Sequence, residues 1–199
     1  MTNRIPFLEH LFCVLQPETE FPLERDAFEF ASEKHYGQIR KYSGRPYITH
    51  PVAVAGLVYD YAEATPEMVA AALLHDVVED CGVTGGEIFK RFGPTVAGYV
   101  WDLTKISKPE DGNRQKRKEI DRDFLANVRP ESKTIKLADI LHNSRDLIEC
   151  NPDFVPKWYA ETIALFEVLK DTANPTMVQM VDDMLGNHLE WMLNTPRKT

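Results

Sequence analysis

Cysteine is scarce in this sequence. The chain contains three cysteines, Cys13, Cys81 and Cys150, and no two of them form a CxxC pair. Widely spaced cysteines in odd number favour neither a disulfide framework nor a zinc ribbon. We therefore expect a protein of a reducing compartment, the cytoplasm.

Long apolar runs and strand patterns are also missing. No stretch approaches the roughly 20 apolar residues of a membrane span, and the N-terminal apolar run includes Glu9 and His10 and lacks a small-residue cleavage site, which argues against a signal peptide. Apolar residues recur with a helical period between Pro and Gly residues. The sequence predicts an all-α fold, with one domain of about eight to ten helices over residues 1–199.

Basic residues are in the minority. The chain has 23 Lys and Arg against 31 Asp and Glu, and its net charge is −8. Broad nucleic-acid binding requires a basic surface, so this balance argues against nucleic acid as a partner. A small anionic substrate is compatible with it, because a metal or a local basic patch can hold one. We expect a small-molecule partner and no membrane, with a homo-oligomer left open.

Four ionisable residues crowd one predicted helix. The pattern of residues 66–80 predicts a single helix whose first half is almost entirely apolar. On such a helix His75 lies beside Glu79 and Asp76 lies beside Asp80, because residues four apart share a face. Burying these groups is costly without a counter-charge, and a divalent cation would supply one. The alternative is a solvated acidic helix end.

Three further polar residues stand in apolar or rigid settings. Asp139 and Asn143 share a face of an apolar predicted helix, and the alternative to a ligand role is an Asp139 neutralised by Lys136 or Arg145. His50 immediately precedes a helix-opening proline. Taken alone, such a histidine usually has a structural role.

Together these residues form a set of two imidazoles and two carboxylates. The set consists of His50, His75, Asp76 and Asp139. Such ligands suit Mn²⁺, while zinc and Fe²⁺ remain open on ligand type. A histidine, a His-Asp pair and a distant aspartate also resemble the ligand pattern of the HD phosphohydrolases.

Four longer motifs make the resemblance more specific. HYGQIRKYSGRPYITHPVAVA, AALLHDVVED, FGPTVAGYVWDLTK and IKLADILHNSRDL occur in that order. They resemble the hydrolase domain of RelA/SpoT proteins over about residues 21–169, and the chain is similar to the stand-alone small alarmone hydrolases, metazoan members included. The resemblance implies an HD-type helical domain that binds Mn²⁺. It further implies removal of the 3′-pyrophosphate from guanosine 3′,5′-bis(diphosphate) and related alarmones.

The resemblance also assigns roles to single residues. His50, His75, Asp76 and Asp139 fall on the metal-ligand positions, and Glu79 and Asp80 fall on the paired acidic catalytic positions. Arg40 and Lys41 match the basic pair near the nucleotide base, and Asn143 matches a substrate-contacting Asn. From the sequence itself, Lys105 is a candidate phosphate ligand and Tyr159 a candidate pocket residue, against a surface and a core role respectively.

Some features leave alternatives open. Tyr42 is an extra residue beside the Arg40–Lys41 pair, so the choice between guanine and adenine stays undetermined. One rival activity is HD-type hydrolysis of deoxynucleotides or of the 2′-phosphate of NADPH. Another rival is a nucleotide-binding sensor without catalysis, but every expected metal and acidic position is filled, which favours an enzyme.

Overall fold

The described part of the protein is mainly helical. The computed structural model describes residues 7–194 except 17 and 19, and in these residues the only β pairing is an isolated bridge between Ile39 and Pro46. The predicted all-α fold is confirmed. The helices are α1 (Phe7–Val14), α2 (Pro22–Lys34), α3 (Thr49–Tyr61), α4 (Pro66–Leu74), α5 (Val77–Cys81), α6 (Gly85–Leu103), α7 (Arg114–Leu125), α8 (Pro130–Cys150), α9 (Val155–Leu169) and α10 (Pro175–Asn194).

The chain divides into two compact units. Met1–Lys105 carries α1 to α6, and Ile106–Thr199 carries α7 to α10. In the first unit α4 lies at the centre and packs against α2, α3 and α6. Every residue from 68 to 74 is buried, as expected for a helix that is apolar on all sides. Across the described part of the chain, no helix combines the length and apolar character needed to cross a bilayer.

The start of α4 follows from its sequence, but its end does not. Thr65 caps the helix by accepting a hydrogen bond from the backbone N–H of Met68 at 3.3 Å. The single helix predicted over residues 66–80 is wrong, because α4 ends at Leu74 and α5 begins at Val77. His75 Nδ1 lies 2.7 Å from the carbonyl oxygen of Ala72. In a continuous helix that oxygen would accept from the N–H of the residue after His75.

A kink interrupts α6. Thr84 and Glu87 form a capping box at its start, with a 3.2 Å bond to the Thr84 hydroxyl and a 3.0 Å bond back to the Glu87 carboxylate. Gly93 has φ 83° and ψ 174°, and Pro94 follows it. This backbone conformation is essentially restricted to glycine. The kink at Gly93 therefore separates two helical halves of α6.

In the second unit, α8 packs against α9 and α10. Lys133 is buried on α8, and its ammonium donates to the carbonyl of Ala126 at 2.8 Å and to that of Val168 at 3.2 Å. Ala126 caps the C-terminus of α7, and Val168 lies in the last turn of α9. One cation thus joins the negative ends of two helix dipoles.

Candidate active site

Three of the predicted metal ligands meet in the first unit. His50 is the second residue of α3, and His75 and Asp76 form the break between α4 and α5. Both imidazoles are buried, and the Asp76 side chain is 20% exposed. One potential ligand atom from each residue lies within 4.8 Å of the others. Asp76 Oδ2 is 3.1 Å from His75 Nε2 and 3.6 Å from His50 Nε2.

A contact with the backbone determines which ring nitrogen of His75 carries a proton. A carbonyl oxygen only accepts hydrogen bonds, so the 2.7 Å contact with Ala72 places the proton on His75 Nδ1. In the neutral imidazole, the Nε2 atom that faces Asp76 then carries the lone pair, and this is the form that binds a metal. Two imidazoles and a carboxylate that converge in this way fit a divalent cation.

Tyr47 belongs to this cluster, although sequence reasoning missed it. Its hydroxyl donates to Asp76 Oδ2 at 2.7 Å. Burial first, and then the charge and hydrogen bond of Asp76, raise the pKa of Tyr47 above its ordinary value. The phenol therefore keeps its proton and remains a donor. A sequence clue exists, because Tyr47 is three residues before His50 and its carbonyl accepts from the His50 N–H at 2.8 Å.

The predicted catalytic Glu79 has a basic partner. Its Oε1 atom accepts from the backbone N–H of Lys105 at 2.7 Å, and its Oε2 atom pairs with the Lys105 ammonium. The Glu79 side chain is 15% exposed, and that of Lys105 is 56% exposed. Asp80 is exposed near the end of α5, and its charge contributes to the raised pKa of Tyr47. The structure thus joins a predicted acid–base residue to a predicted phosphate ligand.

The predicted nucleoside-binding loop is a short hairpin of residues 38–47. The N–H of Arg40 donates to the carbonyl of Arg45 at 2.8 Å, and the N–H of Tyr47 donates to that of Gln38 at 2.9 Å. These bonds flank the isolated bridge and make Gln38 and Tyr47 partners at the base of the hairpin.

The two basic residues of this hairpin differ in their surroundings. The Arg40 guanidinium lies 5.7 Å from the ring centroid of Tyr47, the residue that binds Asp76. Lys41 is exposed, and its ammonium lies 5.3 Å from the ring of Tyr42. Arg40 therefore lies near Tyr47, whose hydroxyl contacts the metal-ligand candidate Asp76. Lys41 lies at the turn of the hairpin.

The remaining predicted site residues lie in the second unit. Asp139 is buried on α8, where its Oδ1 atom accepts from Asn143 at 2.5 Å and its Oδ2 atom accepts from Lys136 at 2.7 Å. Lys136 is one of the two partners that the sequence offers for a structural Asp139. Tyr159 is half-buried on α9. The roles of Asp139 as fourth ligand and of Asn143 and Tyr159 as substrate contacts stay predictions.

The relatives found by comparison with known proteins include one of similar length and one that is several times longer. Residues 27–175 match the HD domain family. The guanosine-3′,5′-bis(diphosphate) 3′-pyrophosphohydrolase MESH1 of Danio rerio is 36% identical over 140 residues, which cover 69% of this chain and 74% of that protein. The probable GTP pyrophosphokinase of Mycobacterium leprae is 35% identical over 168 residues, which cover 82% of this chain. This chain spans only 21% of that longer relative.

A solved structure resembles the chain as well. It is that of a metazoan ortholog of SpoT, described as hydrolysing ppGpp and playing a role in starvation responses. The TM-score is 0.75 at 28% sequence identity, and the match covers 83% of this chain and 94% of that one. The similarity therefore extends over nearly the whole of a small protein.

Proposed function

Because the chain belongs to the HD domain family, we propose that it hydrolyses guanosine 3′,5′-bis(diphosphate) and related alarmones at the 3′ position. The products are a 5′-diphosphate or 5′-triphosphate nucleotide and free pyrophosphate. The observation that carries this proposal is the convergence of His50, His75 and Asp76, which a metal-assisted hydrolysis requires. MESH1 of Danio rerio, of which the chain covers 74%, carries the name of this activity.

The proposed cofactor is Mn²⁺. His50, His75 and Asp76 would hold it, and Asp139 is the proposed fourth ligand. A divalent cation in this place would lower the pKa of water and neutralise phosphate charge, which would remove the two obstacles to hydrolysis of an anionic diphosphate ester. The three free cysteines of the chain fit the cytoplasmic location that we propose for the enzyme.

The chain's own residues supply the proton transfers and the binding contacts. Hydrolysis adds water to phosphorus and breaks the bond to the ribose 3′-oxygen, so one group takes a proton from water and another delivers one to that oxygen. We assign these transfers to Glu79 and Asp80 without dividing them. Lys105, which pairs with Glu79, would hold a phosphate of the substrate.

The nucleoside would be held by other residues. In the proposal, Arg40 and Lys41 of the hairpin bind it, and Asn143 and Tyr159 are further contacts. Arg40 supplies a planar guanidinium that stacks on aromatic faces and forks onto phosphate oxygens. The preference between guanine and adenine depends on this hairpin, which carries the additional Tyr42.

A product assay tests the function. Purified protein is incubated with Mn²⁺ and guanosine or adenosine 3′,5′-bis(diphosphate), or in parallel with NADPH or deoxynucleotides, and the products are separated by chromatography. We expect a nucleoside 5′-diphosphate and pyrophosphate. Cleavage of NADPH or a deoxynucleotide in place of both alarmones would show another HD phosphohydrolase, and tight binding without turnover would show a sensor.

Metal removal is the companion test. Dialysis against a chelator should abolish hydrolysis, and added Mn²⁺ should restore it, because the proposed cation would both lower the pKa of water and neutralise phosphate charge. Zn²⁺ and Fe²⁺ are added in parallel to compare cations. Undiminished activity in the metal-stripped protein would contradict the proposed mechanism.

A further inference from the structure

One oxygen of Asp76 is shared between two tasks. Oδ2 faces the Nε2 atoms of His75 and His50 at 3.1 and 3.6 Å, and it also accepts the Tyr47 hydroxyl at 2.7 Å. A carboxylate oxygen has two lone pairs, so it can bind a cation with one and accept a hydrogen bond with the other. The hydroxyl of Tyr47 therefore controls which lone pair is left for the cation.

The ring of Tyr47 is held from several directions. It stacks on the buried His35 ring at a centroid distance of 4.6 Å and an interplanar angle of 25°. It meets the His50 ring edge-on at 6.0 Å, and Arg40 lies 5.7 Å from its centroid. Tyr47 thus touches two of the three clustered ligands and one proposed nucleoside-binding residue.

Gln38 fastens the same hairpin to α5. Its side-chain N–H donates to the Asp80 carbonyl at 3.3 Å and to Cys81 Sγ at 3.6 Å, while its Oε1 atom lies 2.8 Å from His35 Nδ1. Its backbone carbonyl accepts from Tyr47. The base of the hairpin is therefore tied to the end of α5 through Gln38 and to Asp76, which precedes α5, through Tyr47. These contacts hold the Tyr47 hydroxyl toward Asp76.

We infer that Tyr47 is a positioning residue that orients Asp76 for metal binding and connects it to the hairpin that carries Arg40. This inference rests on the metal centre of the proposed function and is independent of which nucleotide is cleaved. Groups that hydrogen-bond a ligating carboxylate contribute about 10- to 100-fold to metal affinity or activity.

The test is the Mn²⁺ affinity of Tyr47→Phe, measured by titration calorimetry on metal-stripped protein without nucleotide. The ring and its stack on His35 remain, and only the donor is lost. We expect Mn²⁺ to bind about 10- to 100-fold more weakly. The matched control is Tyr61→Phe, at the half-exposed end of α3, which should bind as tightly as the wild type. Wild-type affinity in Tyr47→Phe would overturn the inference.

Two further measurements separate positioning from other roles. At saturating Mn²⁺ the kcat of Tyr47→Phe should return to within a few-fold of the wild type, because Tyr47 acts through Asp76. A kcat that stays roughly 100-fold low under those conditions, the scale of a lost general acid, would make Tyr47 a proton donor and overturn the positioning role. Gln38→Leu keeps the Tyr47 hydroxyl but removes the side-chain hydrogen bonds that tie the hairpin to α5. We expect a several-fold weaker Mn²⁺ affinity in this variant.

The outcome also remains separable from that of the proposed function. A wild-type protein that binds Mn²⁺ but cleaves no alarmone would refute the substrate, while the Tyr47→Phe titration would still decide the role of Tyr47. Circular dichroism and thermal melting of the metal-stripped variants verify that each is folded. If Tyr47→Phe is unfolded, the Gln38→Leu titration decides, and unchanged affinity there overturns the inference.

Discussion

At the scale of single residues, Glu79 is the side chain whose chemistry is most directly testable. Glu79→Gln removes the charge and keeps the shape, and Glu79 is not one of the clustered ligands. Mn²⁺ should still bind, while kcat falls by roughly 100-fold or more, the usual scale for loss of a general acid or base. Steady-state kinetics and metal titration on the same preparation check both halves of this prediction.

The control for this variant is Glu63→Gln. Glu63 is an exposed glutamate in the same unit, between α3 and α4. The Glu63→Gln enzyme should turn over at a near-normal rate. A Glu79→Gln enzyme that also works at the wild-type rate would mean that Glu79 serves only to pair with Lys105.

Sequence reasoning reached the ligands more easily than their partners. His75 and Asp76 are adjacent in the chain, so their proximity is readable directly. Tyr47 and Asp76 are separated by 29 residues, and Glu79 and Lys105 by 26. Each of these contacts depends on how a loop folds back, and no helical period encodes that. The sequence therefore did not predict which polar residues contact each other in the site, although it shows which residue types are available.

At the scale of elements, helix starts were predictable and one break was not. Thr65 before Pro66 and the Thr84–Glu87 pair are local signals, and both caps are present. The interruption at His75 depends on its ring reaching the Ala72 carbonyl, a choice of rotamer that apolar periodicity does not contain. The break matters for function, because it gives His75 and Asp76 positions that a regular helix would not.

The kink of α6 offers a test by paired glycine substitutions. Gly93→Ala should destabilise the protein by about 1–3 kcal/mol, the usual cost of a non-glycine residue in a sparsely populated conformation. Crowding adds nothing, because an added Cβ there has no neighbour within 4 Å. Gly86→Ala, in the same helix but with helical backbone, should be neutral or slightly stabilising. Urea unfolding compares them, and equal stabilities would contradict the argument.

The buried Lys133 offers a second test at this scale. Lys133→Met keeps the length of the side chain but leaves the carbonyls of Ala126 and Val168 without their cation. We expect a loss of about 2 kcal/mol in the free energy of unfolding, the scale of hydrogen bonds from a charged group. Lys170→Met removes an exposed lysine paired with Glu167 and should shift the urea midpoint very little. Similar shifts for both variants would refute a capping role for Lys133.

At the scale of the whole molecule, acid should weaken the fold through His188. This histidine is buried on α10 against Trp158, and burial lowers its pKa from 6.5. The folded state therefore binds fewer protons than the unfolded state, and its stability rises with pH. The contribution is complete above about pH 6.5 and is lost as the pH falls below it.

His188→Phe isolates this effect. The phenyl ring still packs against Trp158 but cannot take up a proton, so the difference in unfolding free energy between pH 7.5 and 5.5 should be smaller than in the wild type. Urea titrations at the two pH values measure it. An unchanged pH dependence would assign the acid sensitivity to other groups.

The all-α architecture was predictable because it depends on the spacing of apolar residues along the chain. Apolar periodicity with proline and glycine boundaries indicated an all-α chain, and the described residues are helical in that way. The convergence of His50 with the His75–Asp76 pair followed from residue chemistry and resemblance, and the structure brings these three together. The single domain expected over residues 1–199 stays a prediction beside the two compact units of the structure.

A cation held by His50, His75 and Asp76, as proposed, would make the melting temperature of the protein depend on the metal concentration. A cation that binds only the folded chain stabilises it by mass action, by about 2.7 kcal/mol at a free concentration 100 times its dissociation constant. The melting temperature should then climb logarithmically with added Mn²⁺, and the slope should vanish in Asp76→Ala. If the cluster holds the proposed cation, removal of the metal would lower the stability of the folded chain as well as its activity.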